Sequence, residues 1–171
     1  ARSSEQIEQR VQAILDAAGR VFHKVPYENV TMQMIAKEAG FTRSNLYRYF
    51  TTREEIFLAL FMSDVDTWGE QIFAAFTHEE SLETFVKKWT EIVCRQHRLL
   101  KLFPLLSLSL EKNTSEETYR NTKLALAEKT NELVTVFRNV IPSLSAEQWV
   151  EFLLTNEALL AGAWPMAQYS D

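Results

Sequence analysis

The sequence is poor in cysteine, glycine and proline, with one Cys, four Gly and four Pro among 171 residues. Cys94 has no partner for an internal disulfide, and a lone thiol is typical of a reducing compartment, so we expect a cytoplasmic protein. Few glycines and prolines favour long helices over an all-β fold. The most apolar stretch, residues 98–110, is interrupted by Lys101 and Pro104. It is shorter than the roughly 18 apolar residues of a membrane span, so no membrane partner is expected.

Enzyme signatures are also missing from the sequence. It contains no Gly-x-Ser-x-Gly, no His-Glu-x-x-His and no phosphate-binding glycine loop. Cys94 and His97 are three residues apart and share a helix face, but two ligands alone do not make a zinc site. We therefore expect no metal, no cofactor and no enzyme activity.

Apolar residues recur at helical spacing, which predicts an all-α protein. Pro26 should end a first helix near Lys24, because proline disfavours helical geometry in the preceding residue. A long helix should begin after Thr51 or Thr52 and reach the mid-seventies. Pro104 is expected to break the apolar run around it. A last helix should run from Ala146 to near Trp164.

The most informative segment is residues 31–50, which reads as two short helices separated by a sharp turn at Ala39-Gly40. Thr31 and Thr42 are suited to cap the two helices, and Leu46 should anchor the second. Residues 31–53 contain four Lys and Arg residues against one Glu, a net charge of +3, although the whole chain carries −5. A capped helix with Arg, Ser and Asn in its exposed first turn is typical of a reader of the DNA major groove.

Three segments around this motif resemble the DNA-binding domain of the TetR family of transcriptional regulators. They are residues 14–22, residues 31–50 and residues 53–56, and residues 160–166 are similar to a motif in the last core helix of some members. The resemblance implies a two-domain helical subunit, a homodimer, binding to double-stranded operator DNA, and release by a small molecule. We accordingly predict a helix-turn-helix DNA-binding domain at residues 1–52. Residues 53–171 would form a larger helical domain for effector binding and dimerisation, without the family's final helix.

The sequence departs from the family pattern at three positions. Pro26 stands where a glycine usually ends the first helix, so that helix must end differently. Ser44 replaces a frequent glycine and adds a hydroxyl to the DNA-reading helix. Arg53 replaces a frequent lysine and keeps its positive charge.

The predicted DNA contacts divide by chemistry. We expect base-edge contacts from Arg43, Ser44 and Asn45, which supply donors and an amide. Phosphate contacts are expected from hydroxyl and cationic side chains. These are Thr31, Thr42, Tyr47, Tyr49 and Arg53, and the cations Lys37 and Arg48 complete the predicted surface.

The larger domain is expected to bind an apolar or amphipathic small molecule and a second copy of the chain. Its aromatic and aliphatic residues, with one amide among them, predict a pocket formed by Phe61, Val65, Trp68, Trp89, Val93, Phe103, Leu106, Asn156, Leu160 and Trp164. For the homodimer interface we predict one face of the last helix, comprising Phe152, Thr155, Leu159 and Gly162. Two alternatives stay open: a regulator whose larger domain binds a protein partner, and a helical adaptor that does not bind DNA.

Overall fold

The computed structural model describes residues 4–167, apart from the side chain of Ser107. Within these residues the protein is all-α, as predicted, with eight α-helices and no strand. They are α1 Ser4–Lys24, α2 Met32–Glu38, α3 Arg43–Leu46, α4 Arg53–Ala75, α5 Leu82–Cys94, α6 His97–Leu105, α7 Glu116–Val140 and α8 Ala146–Ala167. Short 3₁₀ turns occupy Tyr27–Asn29 and Glu111–Asn113, and a π-helical segment spans Leu106–Leu110.

Hydroxyl side chains fix the starts of six helices. In each case the oxygen accepts a hydrogen bond from the backbone N–H three residues later, at 3.1–3.3 Å. Such caps satisfy donors that a helix start otherwise leaves unpaired. The capping residues are Thr31, Thr42, Thr52, Ser81, Ser115 and Ser145. The predicted caps of the two short helices and of the long helix are confirmed.

Proline ends one predicted helix and fails to end another. α1 ends at Lys24, as Pro26 predicts. The prediction that Pro104 breaks its run is wrong, because α6 continues through it to Leu105 and then widens into the π-helical segment. Leu102, Leu106 and Leu110 are buried along this path. We infer that their burial compensates for the helical hydrogen bond that Pro104 cannot donate.

Two hydrophobic cores are joined by α4. The first core packs α1, α2, α3 and the first half of α4 against α6 and the π-helical segment. The second core packs the second half of α4 against α5, α7 and α8. α4 has 23 residues and so spans about 35 Å. The predicted boundary at residues 52 and 53 therefore falls at the start of a helix that both cores share.

An ion pair between the half-exposed Arg98 and the buried Asp64 fixes α6 against α4. The Arg98 guanidinium donates hydrogen bonds of 2.8 and 2.5 Å to the two carboxylate oxygens of Asp64. This hydrogen bonding raises the pKa of Arg98, and the Asp64 side chain is buried. Such bidentate pairs restrict geometry as well as distance. The helix that leads into the π-helical segment is therefore held in a defined position on α4.

Candidate nucleic-acid interface and ligand cavity

Gly40 makes the turn between α2 and α3. Its φ is +72°, in the left-handed region that glycine adopts without steric cost. The N–H of Phe41 donates to the Ala36 carbonyl at 2.8 Å, which closes the end of α2. α3 then begins at Arg43, so a turn at Gly40 separates two short helices, as the sequence predicts.

A single buried leucine anchors α3. Leu46 is fully buried in the first core, whereas Arg43 and Ser44 are exposed and Asn45 is half-buried. Tyr47 and Arg48 follow on the exposed side, and Tyr49 is half-buried with its ring 6.4 Å from that of Phe41. Because Leu46 packs into the core, the opposite side of the first turn of α3 faces solvent. The predicted base-reading residues lie where DNA could reach them.

Arg43 and Tyr47 form one unit on this surface. The Arg43 guanidinium donates to the Tyr47 hydroxyl at 3.2 Å and lies 5.4 Å from the centre of its ring. This i, i+4 contact orders a long side chain that would otherwise be mobile in solvent. Thr42 and Ser44 hydroxyls are 3.3 Å apart. The exposed start of α3 therefore carries hydrogen-bonding groups in a defined arrangement.

Residues on α2 extend the same positive segment. Thr31 and Lys37 are exposed at the start and in the last turn of α2. Glu38, the one acid between residues 31 and 53, accepts a 2.7 Å hydrogen bond from Arg20 of α1. That bond holds the pKa of Glu38 below its usual value. Because Arg20 pairs with this carboxylate, the cations around α3 have no opposing charge within their own segment.

Arg53 occupies a different environment from the other predicted DNA contacts. Its Nη1 donates to the carbonyls of Tyr27 and Val30 at 3.0 and 2.7 Å, and its Nε donates to Glu54 at 2.9 Å. The two bonds to carbonyls thus join the start of α4 to the turn between α1 and α2. Its role in phosphate binding stays a prediction.

Sequence reasoning did not single out Tyr27, which the structure places at the centre of these contacts. The ring is buried, 5.1 Å from Phe57 and 4.6 Å from the Arg53 guanidinium. Burial raises the pKa of Tyr27, so its hydroxyl stays protonated at neutral pH. Its position directly after Pro26, as the one aromatic residue of the connection between α1 and α2, was the available signal.

The larger domain contains an apolar cavity of about 90 Å³. Its lining comes from α4, α5, α6, α7 and α8. The lining residues are Phe61, Val65, Trp68, Trp89, Val93, Gln96, Leu99, Leu100, Phe103, Leu126, Lys129, Thr130, Leu133, Leu153, Leu154, Asn156, Glu157 and Leu160. Eight of the ten residues predicted for the pocket are among them.

Two predicted pocket residues do not line the cavity. Leu106 is buried in the first core, because the π-helical segment turns it toward α4. Trp164 packs against the second core, with its ring 5.9 Å from that of His97. The sequence prediction also missed the α7 side of the cavity, where Leu126, Thr130 and Leu133 recur at helical spacing.

Several polar groups of the cavity are paired, either with each other or with neighbouring residues. Asn156 accepts a 3.1 Å hydrogen bond from the Trp89 indole and donates to the Phe152 carbonyl at 3.0 Å. Lys129 is 3.2 Å from Asp66 and 2.9 Å from Glu132. These pairs leave the apolar walls as the main binding surface of the cavity.

Glu157 gives the cavity a pH-sensitive group. Loss of solvation raises its pKa above the ordinary value of 4.5, and the nearby Glu111 adds to the effect while Lys123 opposes it. A raised folded-state pKa means that folding disfavours the charged form, so stability is lost as pH rises through that pKa.

We therefore expect Glu157→Gln to become more stable than the wild type as pH rises from below 4.5 toward neutrality. Urea unfolding at a series of pH values measures the difference. Glu151→Gln removes the same charge from another exposed position of α8 and is the control for that loss. A wild-type advantage that grows toward neutral pH would contradict the assignment.

The outer face of α8 carries most of the residues predicted for the dimer. Thr155, Leu159 and Gly162 are exposed, with Leu159 64% accessible, and no atom lies within 4 Å of a Cβ built on Gly162. Phe152, seven residues before Leu159, is half-buried. Its ring packs 5.0 Å from Trp89 in the second core, because large aromatic residues of α5 and α8 fill the same space. The dimer interface itself stays a prediction.

In the described part of the chain, no cluster of three or more His, Cys, Asp or Glu residues has the geometry to hold a metal ion. None of the helices in that part has the length and apolar character needed to cross a membrane.

A small helix-turn-helix module on a larger helical domain with a cavity defines the class of two-domain helical regulators. Residues 14–60 match the family described as bacterial regulatory proteins of the tetR family. Residues 62–171 match the Tetracyclin repressor-like C-terminal domain. The chain belongs to the TetR family.

Several known proteins are similar to this chain in sequence. A fatty acid metabolism regulator protein of Bacillus subtilis is 25% identical over 138 residues, which are 78% of this chain. An uncharacterized HTH-type transcriptional regulator of the same organism is 28% identical over 92 residues, or 52% of this chain. The chain spans 65% and 45% of the lengths of these two relatives.

Two solved structures share the fold. The fatty acid degradation regulator FadR of Bacillus halodurans has a TM-score of 0.65 at 17% identity, over 100% of this chain and 89% of that chain. The TetR family regulator PfmR of Thermus thermophilus has a TM-score of 0.59 at 18% identity, over 86% of this chain and 82% of that one. The proteins named in these comparisons are regulators.

Proposed function

We propose that the chain is the subunit of a homodimeric, sequence-specific DNA-binding regulator, a repressor that a small molecule releases from its operator. The observation that carries the proposal is α3, a capped helix held by Leu46 with Arg43 and Ser44 exposed. Arg43 is suited to guanine and Asn45 to adenine, because each offers the matching hydrogen-bond pattern in the major groove. Thr31, Thr42, Tyr47 and Lys37 would contact phosphates around that helix.

Selection from random duplex DNA tests this proposal. We expect enriched sequences with two related half-sites about 34 Å apart, or a multiple of that distance, because a twofold dimer presents two copies of α3 to one face of DNA. Enrichment of unrelated sequences with no shared half-site would contradict sequence-specific binding.

The cavity supports a small-molecule effector over a protein partner. It is apolar and lined by five helices, and its volume of about 90 Å³ is below the roughly 300 Å³ at which drug-sized pockets begin. A small ligand would fit as the cavity stands, and a longer one would have to displace side chains. Because two similar proteins are named as fatty acid regulators, straight-chain acids are the first compounds to test.

We expect apolar chains to bind this cavity and lower the affinity for selected DNA. Butanoic, octanoic and dodecanoic acids and the matching alcohols would be titrated, with thermal unfolding and operator affinity as readouts. Val93→Phe should abolish the response, since the new ring occupies the cavity. Val86→Phe is the matched control on the same helix, because Val86 is 49% exposed and outside the cavity. A response that survives in Val93→Phe would place the ligand elsewhere.

A further inference from the structure

One side chain connects three segments that are distant in sequence. Arg53, the first residue of α4, donates through Nη1 to the carbonyls of Tyr27 and Val30 at 3.0 and 2.7 Å. It lies over the Tyr27 ring at 4.6 Å and pairs with Glu54 at 2.9 Å. The nitrogen Nη2 has no hydrogen-bond partner among the described residues. Arg53 therefore uses most of its donors inside the protein.

Arg53 holds the backbone from which α2 starts. Val30 is buried, and the next residue, Thr31, caps α2. Charge-assisted hydrogen bonds to backbone carbonyls are stronger than neutral ones. A change at Arg53 would consequently move the start of α2 and, through the Gly40 turn, the DNA-reading helix α3.

Tyr27 extends this connection to the larger domain. Its hydroxyl donates to Glu54 at 3.2 Å and accepts a hydrogen bond from the Ser109 hydroxyl at 3.4 Å. Ser109 belongs to the π-helical segment, which follows Phe103 of the cavity wall along the chain. Phe103 also contacts Phe61 of α4, at 5.4 Å between ring centres. A displacement of Phe103 by a ligand could therefore reach Tyr27 through the few residues that separate Phe103 from Ser109.

We propose that Arg53, Tyr27 and Ser109 form a latch that couples the π-helical segment to α2 and α3, and that Arg53 acts through this latch and not as a phosphate contact. π-Helical turns inside helices frequently occur at functional sites, because their wider spacing is readily reorganised. The latch is closed in this structure. Ligand binding next to Phe103 would shift the segment, open the Ser109–Tyr27 bond and loosen α3, which lowers operator affinity.

Amide hydrogen exchange tests the latch without DNA. Ser109→Ala removes one hydroxyl from the larger domain, and Tyr27→Phe removes its partner while keeping the ring that contacts Arg53 and Phe57. Ser109→Ala should reduce protection of the Ile35 and Leu46 amides about three- to tenfold, as expected for one hydrogen bond. Tyr27→Phe should reduce it at least as much, because it also removes the bond to Glu54. The double variant should lose no more than Tyr27→Phe alone, because that change already removes the Ser109 contact. Tyr119→Phe, at an exposed tyrosine of α7, is the control.

The role of Arg53 is tested on DNA, and this part rests on the proposed function. Arg53→Lys keeps the charge but not the planar donors, so the latch predicts about a tenfold loss of operator affinity, whereas a phosphate contact predicts little change. Arg53→Gln should leave the salt dependence unchanged if the latch is right. A phosphate contact would instead reduce the salt slope by about one.

Different results would overturn the latch and the proposed DNA-binding function. The latch would be overturned if Ser109→Ala changed exchange only in residues 106–113. It would also be overturned if Arg53→Lys kept the wild-type affinity for DNA. Neither result would contradict the proposed function. If the wild type selects no DNA sequence, the proposed function fails, and the exchange measurements still decide whether Ser109 controls the opening of α2 and α3.

Discussion

Leu46→Ala should cost about 2–5 kcal/mol of unfolding free energy and weaken operator binding by about tenfold or more. Leu46 is fully buried and is the one buried residue of the four in α3. Its removal leaves a cavity under the DNA-reading helix, and no second anchor on that helix compensates. Urea unfolding and titration of selected DNA measure the two effects.

Leu82→Ala supplies the comparison for this change. Leu82 is a leucine in the first turn of α5, 59% exposed, so the same truncation there should change stability by less than about 0.5 kcal/mol and leave DNA affinity unchanged. If Leu46→Ala were as mild as Leu82→Ala, the anchoring role of Leu46 would be wrong.

Arg43→Ala should remove about 1–3 kcal/mol of sequence discrimination, which corresponds to roughly 5- to 150-fold in affinity for selected DNA. The Arg43 guanidinium is exposed at the start of α3 and held by the Tyr47 hydroxyl. Its planar donors are suited to the two acceptors of guanine, so affinity for scrambled DNA should fall far less. Titrations of both DNAs with wild type and variant measure the ratio.

Arg138→Ala is the control for the charge lost in Arg43→Ala. Arg138 is exposed in the last turn of α7, and its removal changes the net charge equally without touching α3. It should leave the ratio of the two affinities unchanged. Equal losses on selected and scrambled DNA for Arg43→Ala would mean that this residue does not read bases.

Local sequence signals predicted the helices that present α3. Each cap lies where a hydroxyl residue precedes a segment with apolar residues at helical spacing, at Thr31, Thr42 and Thr52. Gly40 adopts the left-handed backbone conformation that favours glycine. These features depend on residues within about four positions of one another. Such short-range determinants can be read from one sequence.

Features set by packing between distant segments were predicted less well. Phe152 and Leu159 are seven residues apart and were assigned to one face of α8, but Phe152 turns into the aromatic cluster and Leu159 stays exposed. Pro104 should have ended α6, yet burial of the residues around it keeps the chain helical. Both outcomes depend on which partner helix is present.

Arg53 shows the same difference at the candidate site. A cation at the start of a helix next to a DNA-reading module predicts a phosphate contact. Its partners in the structure are carbonyls of residues 27–30, more than twenty positions earlier in the chain. No pattern around residue 53 indicates those partners.

The net charge of the whole chain is a poor guide to its function. The chain has a net charge of −5, but the one acid of residues 31–53 is paired with Arg20. The cations on α2 and α3 therefore face solvent with a positive excess, which favours approach to DNA.

The most direct test of the account is a fluorescence anisotropy titration of the wild-type chain with its selected DNA and with a scrambled duplex of equal length, at a stated salt concentration. The account predicts an affinity for the selected DNA about 10³-fold higher or more, the lower end of the usual range for specific binding. It also predicts that Arg43→Ala reduces this ratio. Equal affinity of the wild type for the two duplexes would contradict the assignment of α3 as a sequence-reading helix.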